Sequence, residues 1–314
     1  MTASQAASVV FAGSANHALA AGIAQELGVQ LGACTIDRFP DGEVAIRIDA
    51  SVRGRDVFVV QPTSPPVNDH LMELLAFADA CRRADARRIT ALVPYFGYAR
   101  SDKRQGARAP VTARAVADMM QAIGIGRVVT VDAHTPQIEG FFHIPIDDLS
   151  ATPPLCAALG AQLTDDAVIV SPDLGAARRA ADYGARLGRP AAVCVKRRTG
   201  AASVAVVQVI GEVRGRRCII VDDMITTGAT VAECARALRA QGALEGLTVA
   251  ATHGVFSPGA LARMRAAGIG EVIVTDSIAA SLEPLPQVTR VGIAPLLAAV
   301  VRHLAESDCS PVMS

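Results

Sequence analysis

Residues 219–230 read Ile-Ile-Val-Asp-Asp-Met-Ile-Thr-Thr-Gly-Ala-Thr. An apolar, β-branched run leads into two carboxylates and a small hydroxyl-rich turn, and Val231 then opens a helix. That order predicts a strand, turn and helix of one α/β unit. Asp222 and Asp223 would stand at the carboxyl end of the strand, where open α/β sheets place their ligands. The Thr/Gly turn offers backbone N–H groups, and the dipole of the following helix favours an anion there. The Gly-x-x-x-x-Gly-Lys pattern of a Walker loop is absent. Two carboxylates would repel a bare phosphate. They suit sugar hydroxyls or a bound cation, with the turn holding a phosphate nearby.

Outward from this stretch, short β-branched runs alternate with Ala-rich helical segments, the pattern of parallel α/β architecture. Strands are predicted at 9–12, 56–61, 89–94, 127–132, 167–171, 191–195, 217–222, 247–252 and 271–276. Helices are predicted between them, among others at 68–84, 112–123, 176–187 and 230–240. The halves also match each other. Arg53-Gly-Arg-Asp-Val-Phe-Val-Val-Gln-Pro62 parallels Arg214-Gly-Arg-Arg-Cys-Ile-Ile-Val-Asp-Asp223, and Ser14 through Gly28 echoes Ser171 through Gly188. With Ile89-Thr-Ala-Leu-Val93 matching Leu247-Thr-Val-Ala-Ala251 as well, three matches in one order predict a duplicated domain, 1–150 and 151–314, joined around Ser150 to Pro154. The second copy has Asp222-Asp223 and the Thr/Gly turn where the first has Gln61-Pro62 and Thr-Ser-Pro-Pro. One ligand loop is therefore expected, leaving the N-terminal half for a second substrate or a subunit interface.

Composition narrows the partners. The 314 residues are 51% hydrophobic and 19% charged, ample for cores on both faces of a sheet. A formal net charge of zero argues against a nucleic-acid coat or an electrostatically held membrane protein. Met-Thr-Ala-Ser-Gln has no basic stretch ahead of an apolar one, so no signal peptide is expected. No apolar run reaches the ~18 residues of a membrane span. Seven cysteines without a C-x-x-C pair read as buried thiols of a reducing, cytoplasmic compartment.

Other clusters carry candidate chemistry. Lys196-Arg197-Arg198 follows a predicted strand and precedes small residues. Such cations can close over a polyphosphate and neutralise developing charge, or simply form a solvated turn. Asp132-Ala-His134 and Ser171-Pro-Asp173 fall at predicted strand ends and offer metal or hydrogen-bonding groups. Magnesium prefers oxygen ligands, which makes His134 an unusual contact. Pro94-Tyr-Phe-Gly-Tyr-Ala-Arg-Ser-Asp-Lys-Arg104 joins aromatics to cations, a pairing that suits a base and its phosphates. Phe39-Pro-Asp-Gly-Glu43 adds an aromatic with acids on what is also an ordinary turn sequence.

Together these segments resemble the ribose-phosphate pyrophosphokinase family over nearly the whole chain. The resemblance also runs through Asn68-Asp-His-Leu-Met-Glu-Leu74 and Gln137-Ile-Glu-Gly-Phe-Phe142. It implies two type I phosphoribosyltransferase-like domains, each a mainly parallel sheet flanked by helices. It implies transfer of the pyrophosphoryl group of Mg2+-ATP to ribose 5-phosphate, giving AMP and phosphoribosyl pyrophosphate. By the same resemblance, Asp222 and Asp223 hold the ribose hydroxyls, while Thr226, Thr227, Gly228, Ala229 and Thr230 cradle the 5-phosphate. Lys196 and Arg198 are the implied catalytic pair, with Arg198 also at the sugar phosphate. His134 and Asp173 serve the metal–ATP site. Phe39, Asp41, Gly42, Glu43, Arg100 and Ser101 meet ATP, the first four across a subunit boundary of a dimer or hexamer.

Departures from the family accompany the resemblance. Thr226 stands where Asp is common, Ala229 where Gly is common, and Ser101 where Gln is usual. If the backbone at 229 requires φ above zero, Ala carries a strain on the order of 1 kcal/mol. Gly106-Ala107 replaces an Arg-Ser pair of the phosphate/ADP regulatory site, which points to a phosphate-independent enzyme. A type I phosphoribosyltransferase and a catalytically silent homologue of the synthetase are the competing readings.

Overall fold

The computed structural model describes residues 8–104, 106–197, 206–279 and 288–307. It separates into two compact units. The first begins with β1 (Ser8–Ala12), a 3-10 turn (Ser14–Asn16) and α1 (His17–Leu27). An antiparallel hairpin follows, β2 (Cys34–Arg38) and β3 (Val44–Ile48). Next come β4 (Asp56–Val60), α2 (Val67–Arg83), β5 (Arg88–Leu92), α3 (Thr112–Ala122), β6 (Arg127–Val131), a 3-10 stretch (Pro136–Phe141) and β7 (Ile146–Leu149). Its sheet has the order β1-β4-β5-β6-β7 and is parallel throughout.

The second unit runs through α4 (Thr152–Gly160), β8 (Ala167–Ser171), α5 (Ala177–Leu187), β9 (Ala191–Arg197), β10 (Val206–Ile210) and β11 (Arg217–Ile225). It continues with α6 (Ala229–Ala240), β12 (Leu247–Gly254), α7 (Ala260–Ala266), β13 (Ile269–Thr275) and β14 (Val288–Val291). The sheet order is β10-β9-β8-β11-β12-β13-β14, parallel except for the antiparallel edge strand β10.

The repeat seen in sequence is therefore a repeat in space. β8, β11, β12, β13 and β14 follow one another as β1, β4, β5, β6 and β7 do. The turns entering β4 and β11 agree in detail. Arg55 N–H bonds the Val52 carbonyl at 3.0 Å, and Arg216 N–H bonds that of Val213 at 3.2 Å. Gly54 and Gly215 both take left-handed backbone, at φ 65° and 67°, where a side chain would be strained. Each of their amides reaches a distant carbonyl at 2.8 Å, that of Asp85 and that of Gly242. Central strands β4 and β8 are buried along their whole length, as parallel strands covered on both faces must be.

Three features depart from the expected layout. The last helix, α8 (Ala294–Ser307), belongs to the first unit, although the sequence places residues 151–314 together. It packs on α1, where Leu297 is fully buried and Arg302 Nη2 donates to the Glu26 carbonyl at 3.1 Å. The hairpin β2–β3 lies outside the predicted strands, because half-exposed Cys-Thr-Ile-Asp-Arg and Val-Ala-Ile-Arg-Ile carry a weak apolar signal; the edge strands β7, β10 and β14 lie outside them too. Strand β11 also continues three residues past Asp222, since β12 pairs with it as far as Ile225↔Gly254. Six described cysteines are free thiols, five of them buried; burial pushes Cys81 up to about 12. Because α8 closes the first unit through Leu297, Leu297→Ala should destabilise that unit by about 2–5 kcal/mol in urea denaturation.

Candidate functional site

In the second unit, β11 loses one neighbour before it loses the other. Its pairing to β8 is recorded up to Ile220↔Val170, whereas its pairing to β12 runs on to Ile225. Asp222 and Asp223 lie in that interval, on a strand supported from one side. Asp222 is half-buried and Asp223 buried. Each carboxylate is oriented by the next amide: Asp223 N–H donates to Asp222 Oδ1, and Met224 N–H to Asp223 Oδ1, both at 2.9 Å. The side chains also interact with each other, although successive residues of a flat strand point apart. Burial raises the Asp222 carboxyl well above the ordinary carboxylate range, and the Asp223 charge and a hydrogen bond from Asp223 add to it. Asp173, which closes the turn after β8, contributes further repulsion. Burial and two neighbouring acids thus disfavour a charge on Asp222, which suits it to meeting hydroxyl donors.

The turn that follows is built around Gly228. It has φ 68° and ψ 7°, and a Cβ there would lie 2.9 Å from Met264 Cγ and 3.1 Å from the Ala260 carbonyl oxygen. Helix α6 starts at the next residue. Ala229 is therefore helical, and the strain anticipated there is absent; the left-handed position belongs to Gly228, one residue earlier. The first amides of α6 lack intrahelical acceptors and present partial positive charge, the local requirement for a phosphate. Thr226 and Thr230 are half-buried and Thr227 is exposed, so hydroxyls surround these amides.

The corresponding crevice of the first unit is filled by its own side chains. Gln61, fully buried after β4, accepts from Ala15 N–H at 3.1 Å. Its amide donates to Glu73 Oε1 at 2.9 Å and to the His70 carbonyl at 3.3 Å. Glu73, buried on α2, accepts Ser14 N–H at 2.7 Å and Ser14 Oγ–H at 2.5 Å. A Cβ on Gly13 would sit 2.2 Å from Gln61 Oε1, so the turn after β1 closes directly onto this plug. Gln61 stands opposite Asp222 in the aligned halves, but the halves alone do not reveal its pairing with Glu73. The one available signal was Glu73, an acid among the apolar positions Leu71, Leu74 and Phe77.

The remaining first-unit candidates form a linked set. Arg38 and Asp69 lie 3.8 Å apart, and Tyr98 Oη–H donates to Asn68 Oδ1. The hairpin tip and the Tyr98–Arg100 segment thus meet the start of α2. Phe39 is 54% exposed at the tip, a large ring presented to solvent. Asp41 Oδ1 accepts Glu43 N–H at 3.2 Å, and Gly42 N–H reaches the Phe39 carbonyl at 2.8 Å, so Asp41 helps hold its own turn. Arg100 is exposed. Ser101 Oγ accepts Thr112 N–H at 3.2 Å and caps the start of α3. His134 is exposed just beyond β6, and Thr135 Oγ1–H donates to Asp102 Oδ2 at 3.1 Å, tying this segment to the Arg100 loop. His134 lies in the first unit and Asp173 in the second. Lys196 occupies β9, with its backbone opposite Val207; Arg198 lies outside the described residues.

Comparison with known proteins fits this arrangement. Residues 8–124 match the N-terminal domain of ribose phosphate pyrophosphokinase, and residues 199–312 match the phosphoribosyl synthetase-associated domain. A ribose-phosphate pyrophosphokinase of Chromobacterium violaceum is 45% identical over 96% of this chain and 92% of its own length. The chain belongs to the ribose-phosphate pyrophosphokinase family. A second member, from Maricaulis maris, is 46% identical over 95% of this chain and 97% of that protein. The crystal structure of phosphoribosylpyrophosphate synthetase from Mycobacterium smegmatis superposes with a TM-score of 0.90 at 42% identity. It covers 96% of this chain and 99% of that one.

Two outcomes follow from the geometry of this family member. Asp222→Asn removes a buried charge while keeping the acceptor for Asp223 N–H. The folded carboxyl binds its proton more tightly than the unfolded one, so ionised Asp222 costs stability as pH rises above its ordinary value of 3.8. The variant should melt roughly 2–4 °C higher than the parent at pH 7 and equally near pH 3, read by calorimetry. Gly228→Ala should do the opposite, lowering stability by about 1–3 kcal/mol through left-handed strain and contact with Met264. Chemical denaturation of the variant reads that loss directly.

Proposed function

We propose that this chain transfers the pyrophosphoryl group of Mg2+-ATP to ribose 5-phosphate. The anomeric oxygen attacks the β-phosphorus, the bond from that phosphorus to the α–β bridging oxygen breaks, and AMP leaves. The hydroxyl gives up its proton as the new phosphoribosyl pyrophosphate forms. The observation that carries this reading is the acid pair of β11 running into the Gly228 turn and the start of α6. It stands in a chain that matches ribose-phosphate pyrophosphokinases along almost its full length.

Each residue has a role that its surroundings support. Asp222 and Asp223 accept the ribose hydroxyls, which relieves the crowding of their charges. Thr226, Thr227, Gly228, Ala229 and Thr230 hold the 5-phosphate with backbone N–H and hydroxyl groups. Lys196 and Arg198 stabilise charge on the transferring phosphates, Arg198 also meeting the sugar phosphate. The first unit, with Arg100 and Ser101, receives ATP. The Ser101 hydroxyl is already engaged with α3, so its contribution is to fix the Arg100 loop. Phe39, with Asp41, Gly42 and Glu43, covers the adenine of a second copy in a homo-oligomer, dimer or hexamer; the exposed ring favours this.

Among the described residues no three His, Cys, Asp or Glu side chains are grouped to hold a metal ion. Mg2+ needs no such cluster, because it keeps its waters and relies on one or two protein groups together with substrate phosphates. His134 and Asp173 are the residues we assign to it. When bound, Mg2+ neutralises phosphate charge and orients the chain of phosphates. No helix of the described residues is long and apolar enough to cross a membrane. A cytoplasmic setting, with neither membrane nor nucleic acid as partner, suits the free thiols and the neutral charge.

Purified protein should form AMP from Mg2+-ATP only when ribose 5-phosphate is present, with or without inorganic phosphate. AMP formation that depends on inorganic phosphate would remove the regulatory part of the reading. Base transfer from phosphoribosyl pyrophosphate, with no AMP formed, would overturn the reaction itself. Lys196→Ala should lower kcat by roughly 10²–10³-fold while the melting temperature stays put. An unchanged kcat would sink the role of that segment.

A further inference from the structure

The segment after β12 lies along the phosphosugar loop and takes hold of its carbonyls one after another. The Ile225 carbonyl accepts both Val255 N–H and Phe256 N–H at 3.0 Å. The Thr226 carbonyl accepts Ser257 N–H at 3.0 Å. The Thr227 carbonyl accepts Arg263 Nη1–H from α7, the one charged donor in the series. Beneath them, Met264 and Ala260 close the space under Gly228. Phe256 keeps φ at 47°, an unfavourable value for an aromatic residue, where two successive amides converge on one oxygen.

In a trans peptide the carbonyl and the following N–H point in opposite directions. Holding the carbonyls of 225, 226 and 227 toward the β12–α7 side turns the N–H groups of 226, 227 and 228 to the other side, the crevice side. The third unit differs in kind. A guanidinium donating to the Thr227 oxygen polarises that peptide and strengthens its own N–H, which is the Gly228 amide. The charge itself sits on an exposed side chain, so its direct pull on an anion is screened. Its effect passes through the peptide.

We propose that Arg263 is a positioning residue for the sugar 5-phosphate, aiming and polarising the Gly228 N–H without touching the substrate. This rests on the reading that the 226–230 loop holds that phosphate. A donor lost from a charge-assisted set then weakens binding of the sugar phosphate in ground state and transition state alike, and leaves the chemistry at the β-phosphorus untouched.

Steady-state kinetics of Arg263→Ala in the full chain should give a KM for ribose 5-phosphate roughly tenfold higher, with kcat and the KM for ATP within about twofold. Arg263→Lys keeps a cationic donor without the planar fork and should recover part of that loss. Folded Arg263→Ala with an unchanged KM for ribose 5-phosphate overturns the proposal, as does a fall in kcat at constant KM. Hydrogen exchange provides a readout independent of turnover. Inorganic phosphate should protect the amides of 227–230 in the parent and protect them less in Arg263→Ala; equal protection overturns the proposal. Failure of the parent to form AMP would refute the assigned reaction, and the exchange comparison would still decide the role of Arg263.

Discussion

Every parallel sheet ends in backbone donors that must find partners, and this chain meets that requirement twice by opposite means. In the first unit Gln61 and Glu73 take the amides of Ser14 and Ala15 into a buried network. In the second, the strand end carries acids, and α6 begins directly after the Gly228 turn, its first amide donating to Thr227 Oγ1 at 3.4 Å. Burying donors without acceptors costs on the order of 1–3 kcal/mol each, so neither solution is neutral. The first stabilises the fold. The second leaves a strand end in which the Asp222 charge is disfavoured by burial and by its acidic neighbours.

This contrast explains the electrostatics of the site. Asp222 is raised by burial and by its acidic neighbours, a condition that a purely structural carboxylate would avoid. Asp56 in the first unit shows the avoiding arrangement: it is equally part of a strand, yet Arg87 Nε and Nη2 grip it at 3.0 and 2.6 Å. A buried acid whose pKa is raised by neighbouring charges is a candidate for a ligand site. The loop geometry then decides what kind of ligand, because a left-handed glycine followed at once by a helix turns N–H groups toward an anion.

Much of this was legible in the residues, and the limits are physical. Strands β4, β5, β6, β8, β11 and β12 announce themselves because burial on both faces demands unbroken apolar runs. Hairpin β2–β3 is half-exposed, so its residues alternate irregularly and its only sign is the Pro40-Asp41-Gly42 turn. Asp222 and Asp223 could be read because their chemistry requires a particular residue type. The ties from Val255, Phe256 and Ser257 use main-chain amides, which any residue except proline supplies, so no residue type marks them. Ala229 shows the limit of reading backbone from a family residue: a glycine common at that position suggested φ above zero, but the left-handed residue is Gly228 and Ala229 is helical. Arg263 could not be assigned at all, since its target is a carbonyl brought near only by the fold.

The self-filled crevice of the first unit also bears on how the two halves can change. Glu73 and Gln61 each satisfy more than one partner, so replacing Glu73 takes the acceptor from the Ser14 amide and from Gln61 Nε2, and replacing Gln61 takes the acceptor from the buried Ala15 amide. Restoring a ligand site there would require several simultaneous changes, with every intermediate less stable than its parent. The duplication is in that sense a one-way step. The second half has no such buried network at its strand end among the hydrogen bonds described above, while the first is held to the arrangement it has.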